Sequence, residues 1–433
     1  MNRKVLKLAF PSILANITVP LVGMVDVAIS GRLGSASAVG AIAIATMLFD
    51  LLYWNVGFLR VGTGGVVAQA YGRRDFRKVG EVLIRSLAIA LFIALLFWAI
   101  QKPFLNIAFK IIGCSPSTEQ LARTYFNIRI WAAPATLSLF VFKGWFIGMQ
   151  NTISPMVVDI AVNVSNLLFS LLFALKMKMG IAGIALGTLV AQYLGLILSA
   201  ALLLIFYSKI LKKISLGGAL IVKEIGSYLT MNFNLLLRSV AMLLIYSGFT
   251  TIAAKYGDNL LATATIMMKI ILLYSYFVDG FAYAGEALTG RYIGAKDRPS
   301  LIESIKILFI WTLAIASLST LLFLFTGDAL FRVMTNNSEV IALSKEYLPW
   351  LLLVPFLSCF AFILDGLFIG ATASKAIRDT MLLSALLFFA TYLLMGDKWG
   401  MHAIMAAYMV HLIVRSVVMS FKLKKEVILK AAN

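Results

Sequence analysis

Acidic residues are scarce in this chain, and cysteine and histidine are scarcer still. Of 433 residues only 19 are Asp or Glu, two are Cys and two are His. Cys114 and Cys359 stand far apart, with no second Cys or His at metal-ligand spacing. That excludes a disulfide framework and a zinc site and leaves both as packing residues. No phosphate-binding loop of the GxxxxGKS or GxxxxGKT kind occurs, nor HExxH, nor GxSxG. The chain is therefore not equipped to hydrolyse ATP, and an enzyme of the commoner hydrolytic kinds is not expected. His402 and His411 both fall in the last apolar stretch, where a structural role is the expectation.

What is abundant is apolar surface. Hydrophobic residues make up 61% of the chain and charged residues 13%, and the mean hydropathy is +0.95. An ordinary soluble domain has about 45–50% apolar residues, so this is a polytopic membrane protein with the lipid bilayer as its surroundings. The 38 Lys and Arg leave a net charge of +19. In a soluble protein that surplus would suggest a nucleic-acid partner. Here it follows from the collection of Lys and Arg in cytoplasmic loops, and no nucleic acid is expected. The start, MNRKVLKLAF, has the basic and apolar parts of a signal peptide, but the apolar stretch runs on to about Ile29 without a small-residue cleavage site. It reads as a retained first span.

At about 20 apolar residues per span, the sequence predicts helices near 9–30, 38–62, 82–101, 124–149, 155–175 and 181–206. A second set is expected near 227–254, 259–290, 302–325, 343–371, 377–395 and 399–421. The fold class is thus all-α integral membrane, with about twelve transmembrane helices. Basic clusters at Arg3, Lys4 and Lys7, at Arg73 to Lys78, at Lys209 to Lys223, at Arg291 to Arg298 and at Lys422 to Lys430 fall on one side. Both termini are therefore expected to be cytoplasmic. The polar stretch 209–224 divides an N-lobe at 1–208 from a C-lobe at 225–433.

An internal repeat supports that division. RVGTGGVVAQAYGRRD, ending at Asp75, echoes YAGEALTGRYIGAKD, ending at Asp297, and GWFIG at Gly144 echoes GLFIG at Gly366, both at an offset of 222 residues. Shared apolar composition gives similarity without a fixed register, so two six-helix lobes related by duplication are expected.

These segments resemble the multidrug and toxic compound extrusion (MATE) family, in its DinF-like branch. The resemblance rests on PSILANITVPLVGMVDVAISGRLGS, GTGGVVAQAYGRRD, GWFIGMQNTISPM and DGFAYAGEALTGRYIGAKD, and it covers nearly the whole chain. It implies two lobes around a cleft that alternates between faces, and export of organic, often cationic, compounds against an inward flow of protons or sodium. It also implies a monomeric, multi-pass protein of the bacterial cytoplasmic (inner) membrane with no cofactor beyond its coupling ion. The competing reading is a lipid-linked saccharide flippase of the same wider superfamily, which would want a cleft rich in Arg and Lys. Arg238 and Lys269 would suit it; Asp26, Asp279 and Glu286 would oppose it.

Asp26 lies within the first span, where a carboxylate costs about 2.5–3.5 kcal/mol at the helix centre. It must protonate, pair or hold a cation. Proton release, cation binding and solvent access can be linked through one such side chain. Pro20 cannot donate to the carbonyl of Asn16, and Pro11 is a second weak point, so these two are hinge candidates. The fifth and sixth spans offer Asn163, Asn166, Ser170 and Thr188, with Asn166 and Ser170 on one helix face. By the resemblance, Asn166, Ser170 and Thr188 line the N-lobe cation pocket with Asp26. Many relatives carry Asp where this chain has Ser170, which favours protons over the one metal ion the pocket could take, a sodium at Asp26. Asp279 and Glu286, seven residues apart, are the cleft candidates among the remaining acids, together with the aromatics Tyr53, Tyr274 and Tyr283, which could stack on a flat cation. Asp50, Asp159 and Asp365 are read as ion-pair or interfacial groups, with Arg60, Lys143, Arg238 and Arg415 as partners. GxxxG at Gly144, Gly183, Gly290 and Gly366 is read as helix packing within one chain.

Overall fold

The computed structural model describes residues 1–31, 36–214, 218 and 222–432, apart from the side chains of 19–28, 30, 31, 36, 222, 223 and 328. The linker expected at 209–224 therefore falls partly outside the described residues, and so do the side chains of Pro20 and Asp26.

The N-terminal half contains α1 (Asn2–Gly31), α2 (Ala36–Val56), α3 (Phe58–Gly72), α4 (Phe76–Ile112), α5 (Pro116–Arg129), α6 (Ala133–Gly148), α7 (Ile153–Leu171) and α8 (Gly180–Leu211). The C-terminal half contains α9 (Val222–Ala253), α10 (Asp258–Gly294), α11 (Arg298–Met334), α12 (Ser338–Gly370), α13 (Ser374–Trp399) and α14 (Met401–Leu423). Backbone N–H and C=O groups have no water to bond in hydrocarbon, so helices satisfy them internally. Among the described residues eleven helical segments are long and apolar enough to cross a membrane. They follow α1, which has 30 residues.

The helices outrun the expected spans for a physical reason. Hydropathy marks the apolar stretch, whereas a helix continues until it is capped. α4 and α11 each have 37 residues, roughly 55 Å at 1.5 Å per residue, against about 30 Å of hydrocarbon. Each starts at an aspartate cap: Asp75 accepts from the Lys78 N–H and Asp297 from the Ser300 N–H, both at 3.0 Å. The expected span 38–62 is two helices, α2 and α3, meeting at Gly57.

The chain gathers into two compact units. One comprises Leu14–Tyr71 and Asp75–Ser227; its core holds Phe49, Phe126, Trp145 and Leu59. The other comprises Tyr228–Asn433 with Met1–Ile13 and Gly72–Arg74; its core holds Phe249, Phe331, Leu351 and Phe388. The first turns of α1 thus pack with the C-terminal half. Gly280 on α10 is where they fit, since a Cβ there would meet the Ala9 carbonyl and Ile13.

The repeat holds in three dimensions at the offset of 222. Within one unit a Cβ on Gly144 would strike the Arg60 carbonyl and one on Gly148 the Gly64 carbonyl; within the other, Gly366 meets the Ala282 carbonyl and Gly370 the Glu286 carbonyl. Each residue of the second set stands 222 positions after its counterpart in the first. The turns obey the same register. Gln150 and Thr372 are left-handed with φ of 62° and 51°, and the second pair, Arg74 and Lys296, with 60° and 55°. L-residues adopt that conformation only at a cost, so the same local chain path has been kept twice.

Replacing Gly144 or Gly366 with Ala is expected to cost about 1–3 kcal/mol each by overpacking, read as a lowered Tm in detergent. Gly285→Ala, whose Cβ would sit an ordinary 3.4 Å from Leu308, serves as the tolerated control. A second expectation concerns the Asp297 cap. Hydrogen bonds from the Ser300 hydroxyl and N–H hold its carboxyl below the usual range. A carboxylate whose folded pKa is depressed stabilises the fold above its unfolded pKa of about 3.9 and loses that contribution as pH falls through the folded value. Asp297→Ala should therefore cost about 1 kcal/mol at neutral pH, with the difference from wild type shrinking under acid.

Candidate ion-coupling site

α7 and α8 approach closely because Gly183 and Gly187 have no side chains in the way. A Cβ on Gly187 would lie 2.5 Å from the Ser170 hydroxyl and 2.6 Å from its backbone nitrogen, and one on Gly183 would lie 2.5 Å from the Ala174 nitrogen. That contact sets three polar side chains in an apolar interior. Asn166, Ser170 and Thr188 are buried, at 2%, 0% and 4% exposure.

Their hydrogen bonds have one polarity. The Thr188 hydroxyl donates to the Ile184 carbonyl at 3.2 Å and accepts from Asn166 Nδ2 at 2.8 Å. The Ser170 hydroxyl also donates to the Ile184 carbonyl, at 3.4 Å. Both hydroxyl protons are thus committed, and apart from the second N–H of the Asn166 amide the cluster has oxygen lone pairs left. Asn166 Oδ1 is buried and has no hydrogen-bond partner among the described residues. A buried acceptor left in that state costs about 1–3 kcal/mol, so the position favours an arriving donor or cation.

Asn163 lies one turn earlier on α7 and is half-buried. Its Nδ2 donates to Thr18 Oγ1 at 2.7 Å, and that hydroxyl donates to the Ala15 carbonyl at 2.7 Å. Asn163 therefore fastens α1 to α7 within this unit and is not part of the Asn166 cluster's hydrogen bonds. Thr18 was not singled out from sequence; the signal available was a lone hydroxyl two residues before Pro20 in an apolar span. Pro11 is half-buried on the part of α1 that belongs to the other unit.

The candidate substrate residues are distributed over both units. Tyr53 is half-buried in an aromatic cluster, 5.5 Å from Phe49 and 6.2 Å from Phe97, and the Arg129 guanidinium lies 4.6 Å over Phe49. Tyr274 is a core residue of the other unit whose hydroxyl donates to the Pro355 carbonyl at 3.0 Å. Asp279 and Tyr283 on the same helix are half-buried, and Glu286 is fully buried beside the Gly370 contact.

Two other intramembrane acids are ion-paired. Asp159 accepts from Lys143 at 2.7 Å. Asp365, 5% exposed, accepts through one oxygen from Arg238 at 2.7 Å and from Arg415 at 2.6 Å. Lys143 and Asp365 occupy equivalent places in the repeat, 222 residues apart, so the two lobes hold opposite charges at one structural position.

Long apolar helices in two repeated sets, with ionisable groups paired inside, define a polytopic membrane protein. The chain matches the MatE family over residues 11–172 and 235–394 and belongs to it; it is a transporter of that family. It is 31% identical to DNA damage-inducible protein F of Escherichia coli (strain K12), over 94% of this chain and 89% of that protein. It is 26% identical to Multidrug and toxin extrusion protein 1 of Homo sapiens over 80% of this chain, but spans only 60% of that protein's length. Among solved structures it is similar to the Vibrio cholerae MATE transporter VcmN in its bent form, with a TM-score of 0.86 and 17% identity over 98% of this chain and 97% of that one. A MATE crystallised in complex with MaL6 gives a TM-score of 0.87 at 16% identity, over 98% and 97%.

Asp365→Asn would leave a buried guanidinium, Arg415, and a half-buried one, Arg238, without their carboxylate, a loss expected to cost about 3–5 kcal/mol. The variant should show a markedly lower Tm in detergent and poor recovery of monodisperse protein. Wild-type stability in Asp365→Asn would contradict the assignment of this group as structural.

Proposed function

We propose that the protein is a cation-coupled antiporter that exports organic, cationic or amphipathic compounds by alternating access, with protons as the favoured coupling ion and sodium the other. The observation that carries this is the set of oxygen acceptors on α7 and α8, above all the buried, unpartnered Oδ1 of Asn166. Asp26 on α1 supplies the titratable carboxylate in this reading. The human relative, by name a multidrug and toxin extrusion protein, supports export.

The preference for protons rests on Ser170. A tightly held sodium ion wants several oxygens and compensating negative charge, and α7 and α8 offer an amide and two hydroxyls whose protons are given to Ile184, with no second carboxylate at Ser170. Protonation of Asp26 from outside as the exported compound leaves, then release of that proton inside, would link the two flows. Pro11 and Pro20 weaken α1 at two points and would let its bend follow the charge on Asp26. The cleft would draw on Asp279, Glu286, Tyr53, Tyr274 and Tyr283. We place the protein in a bacterial cytoplasmic membrane as a monomer, both termini cytoplasmic, with lobes at 1–208 and 225–433 joined by 209–224. The flippase reading loses support from Arg238, whose guanidinium is engaged by Asp365.

The test is efflux of a fluorescent organic cation from proteoliposomes under imposed pH or sodium gradients. A proton gradient should drive wild-type efflux and Asp26→Asn should abolish it. Ser170→Asp, which adds a second carboxylate, should bring sodium dependence. Efflux indifferent to both gradients and to Asp26 would refute the antiport reading.

A further inference from the structure

α12 is weakened by two prolines in its interior, Pro349 and Pro355. Neither has an N–H, so the carbonyls of Lys345 and Leu351 lack their usual helical donors. The later weak point is braced from neighbouring helices: the Thr320 hydroxyl donates to the Leu352 carbonyl at 3.2 Å, and Tyr274 donates to the Pro355 carbonyl at 3.0 Å. The earlier one is braced by a single imidazole. His402, at the start of α14, has its Nε2 3.0 Å from Glu346 Oε1 and its Nδ1 3.1 Å from Trp350 Nε1. Glu346 precedes Pro349 and Trp350 follows it, so the ring staples the helix across the break.

The two bonds fix the tautomer. An indole N–H is only a donor, so Nδ1 must be the bare nitrogen and Nε2 must carry the proton that goes to Glu346. A second proton on His402 would set N–H against N–H at Trp350 while strengthening the attraction to Glu346. Protonation therefore releases one arm of the staple and tightens the other. The titratable groups against the ring are Glu346 and Tyr347, the latter with its ring centroid 4.7 Å away. Asp397 and Lys398 lie at the adjoining end of α13, and Tyr256, bonded to Tyr392, lies against Gly400.

We propose that His402 is a proton-responsive positioning residue, whose protonation frees Trp350 and loosens α12 at Pro349. The cytoplasmic termini proposed above set it at the outer end of its lobe, so it reads the acidity outside; only this sidedness rests on that reading. Imidazole is the side chain that ordinarily changes charge between about pH 5 and 8. The device is separate from Asp26, and it would tie the shape of a C-lobe helix to the bath from which protons enter.

The chain has only two histidines, which makes the test clean. In full-length protein labelled with 15N-histidine and 15N-tryptophan in nanodiscs, His411→Asn assigns His402, and Trp350→Phe assigns the indole. At alkaline pH His402 should be the Nε2–H tautomer, and on acidification the Trp350 resonance should shift together with the protonation of His402. The Nδ1–H tautomer, or an indole that ignores the charge on His402, overturns the proposal. These readouts need no transport, so a wrong coupling ion would leave them unchanged. In proteoliposomes His402→Gln keeps both arms, since its amide accepts from Trp350 and donates to Glu346, but cannot titrate. It should export like wild type at alkaline outer pH and lose the change in rate that outer acidification produces. A pH profile identical to wild type, or a response to the inner bath alone, overturns it.

Discussion

A charge or polar atom buried in hydrocarbon must find a partner, and the interior of this protein is organised around that requirement. Asp365 has two guanidinium groups on one oxygen, Asp159 has an ammonium, and the Thr188 and Ser170 hydroxyls turn their protons to the Ile184 carbonyl. Against this background the bare Oδ1 of Asn166 is informative. It is one of several buried polar atoms without a hydrogen-bond partner among the described residues, and the one that sits within a cluster of oxygen acceptors on α7 and α8. The His402 staple rests on hydrogen-bond polarity instead, because an imidazole with both nitrogens engaged cannot gain a proton without losing a bond.

The backbone geometry that holds these groups comes from small residues at fixed places. Gly183 and Gly187 let α8 lie against the backbone at Ala174 and Ser170, and the Gly144–Gly148 and Gly366–Gly370 pairs let α6 and α12 lie against the carbonyls of α3 and α10. Without a hydrophobic force between helices inside a bilayer, close backbone approach is what dispersion forces can use. The duplication preserved these contacts, the left-handed turn residues and the aspartate caps, while the chemistry between them changed. Lys143 became the counterpart of Asp365, and each lobe acquired its own ion pair around that position.

Much of this was legible in the sequence. Apolar runs predict the all-α membrane fold, and the offset of 222 residues predicts glycine contacts that the structure places at matching carbonyls. The family followed from the same motifs. Helix ends were not legible, because hydropathy does not mark a cap such as Asp75 or a break such as Gly57. The cluster of Asn166, Ser170 and Thr188 was anticipated, but the separate role of Asn163 was not, since spacing along α7 cannot tell which neighbouring helix a side chain meets. Asp365, Arg238 and Arg415 could be named as partners, whereas their convergence on one oxygen needed coordinates. His402 looked like a packing residue because its two partners lie more than fifty positions away in sequence.

In the proposed mechanism one carboxylate, on Asp26, exchanges a proton for the exported compound. The most direct measurement is the proton count on ligand binding: purified protein in a weakly buffered solution with a pH indicator, titrated with a saturating organic cation. Wild type should release protons as the cation binds, and Asp26→Asn should bind it without release. Release undiminished in Asp26→Asn, or tight binding to wild type with no proton released at any pH, would contradict it.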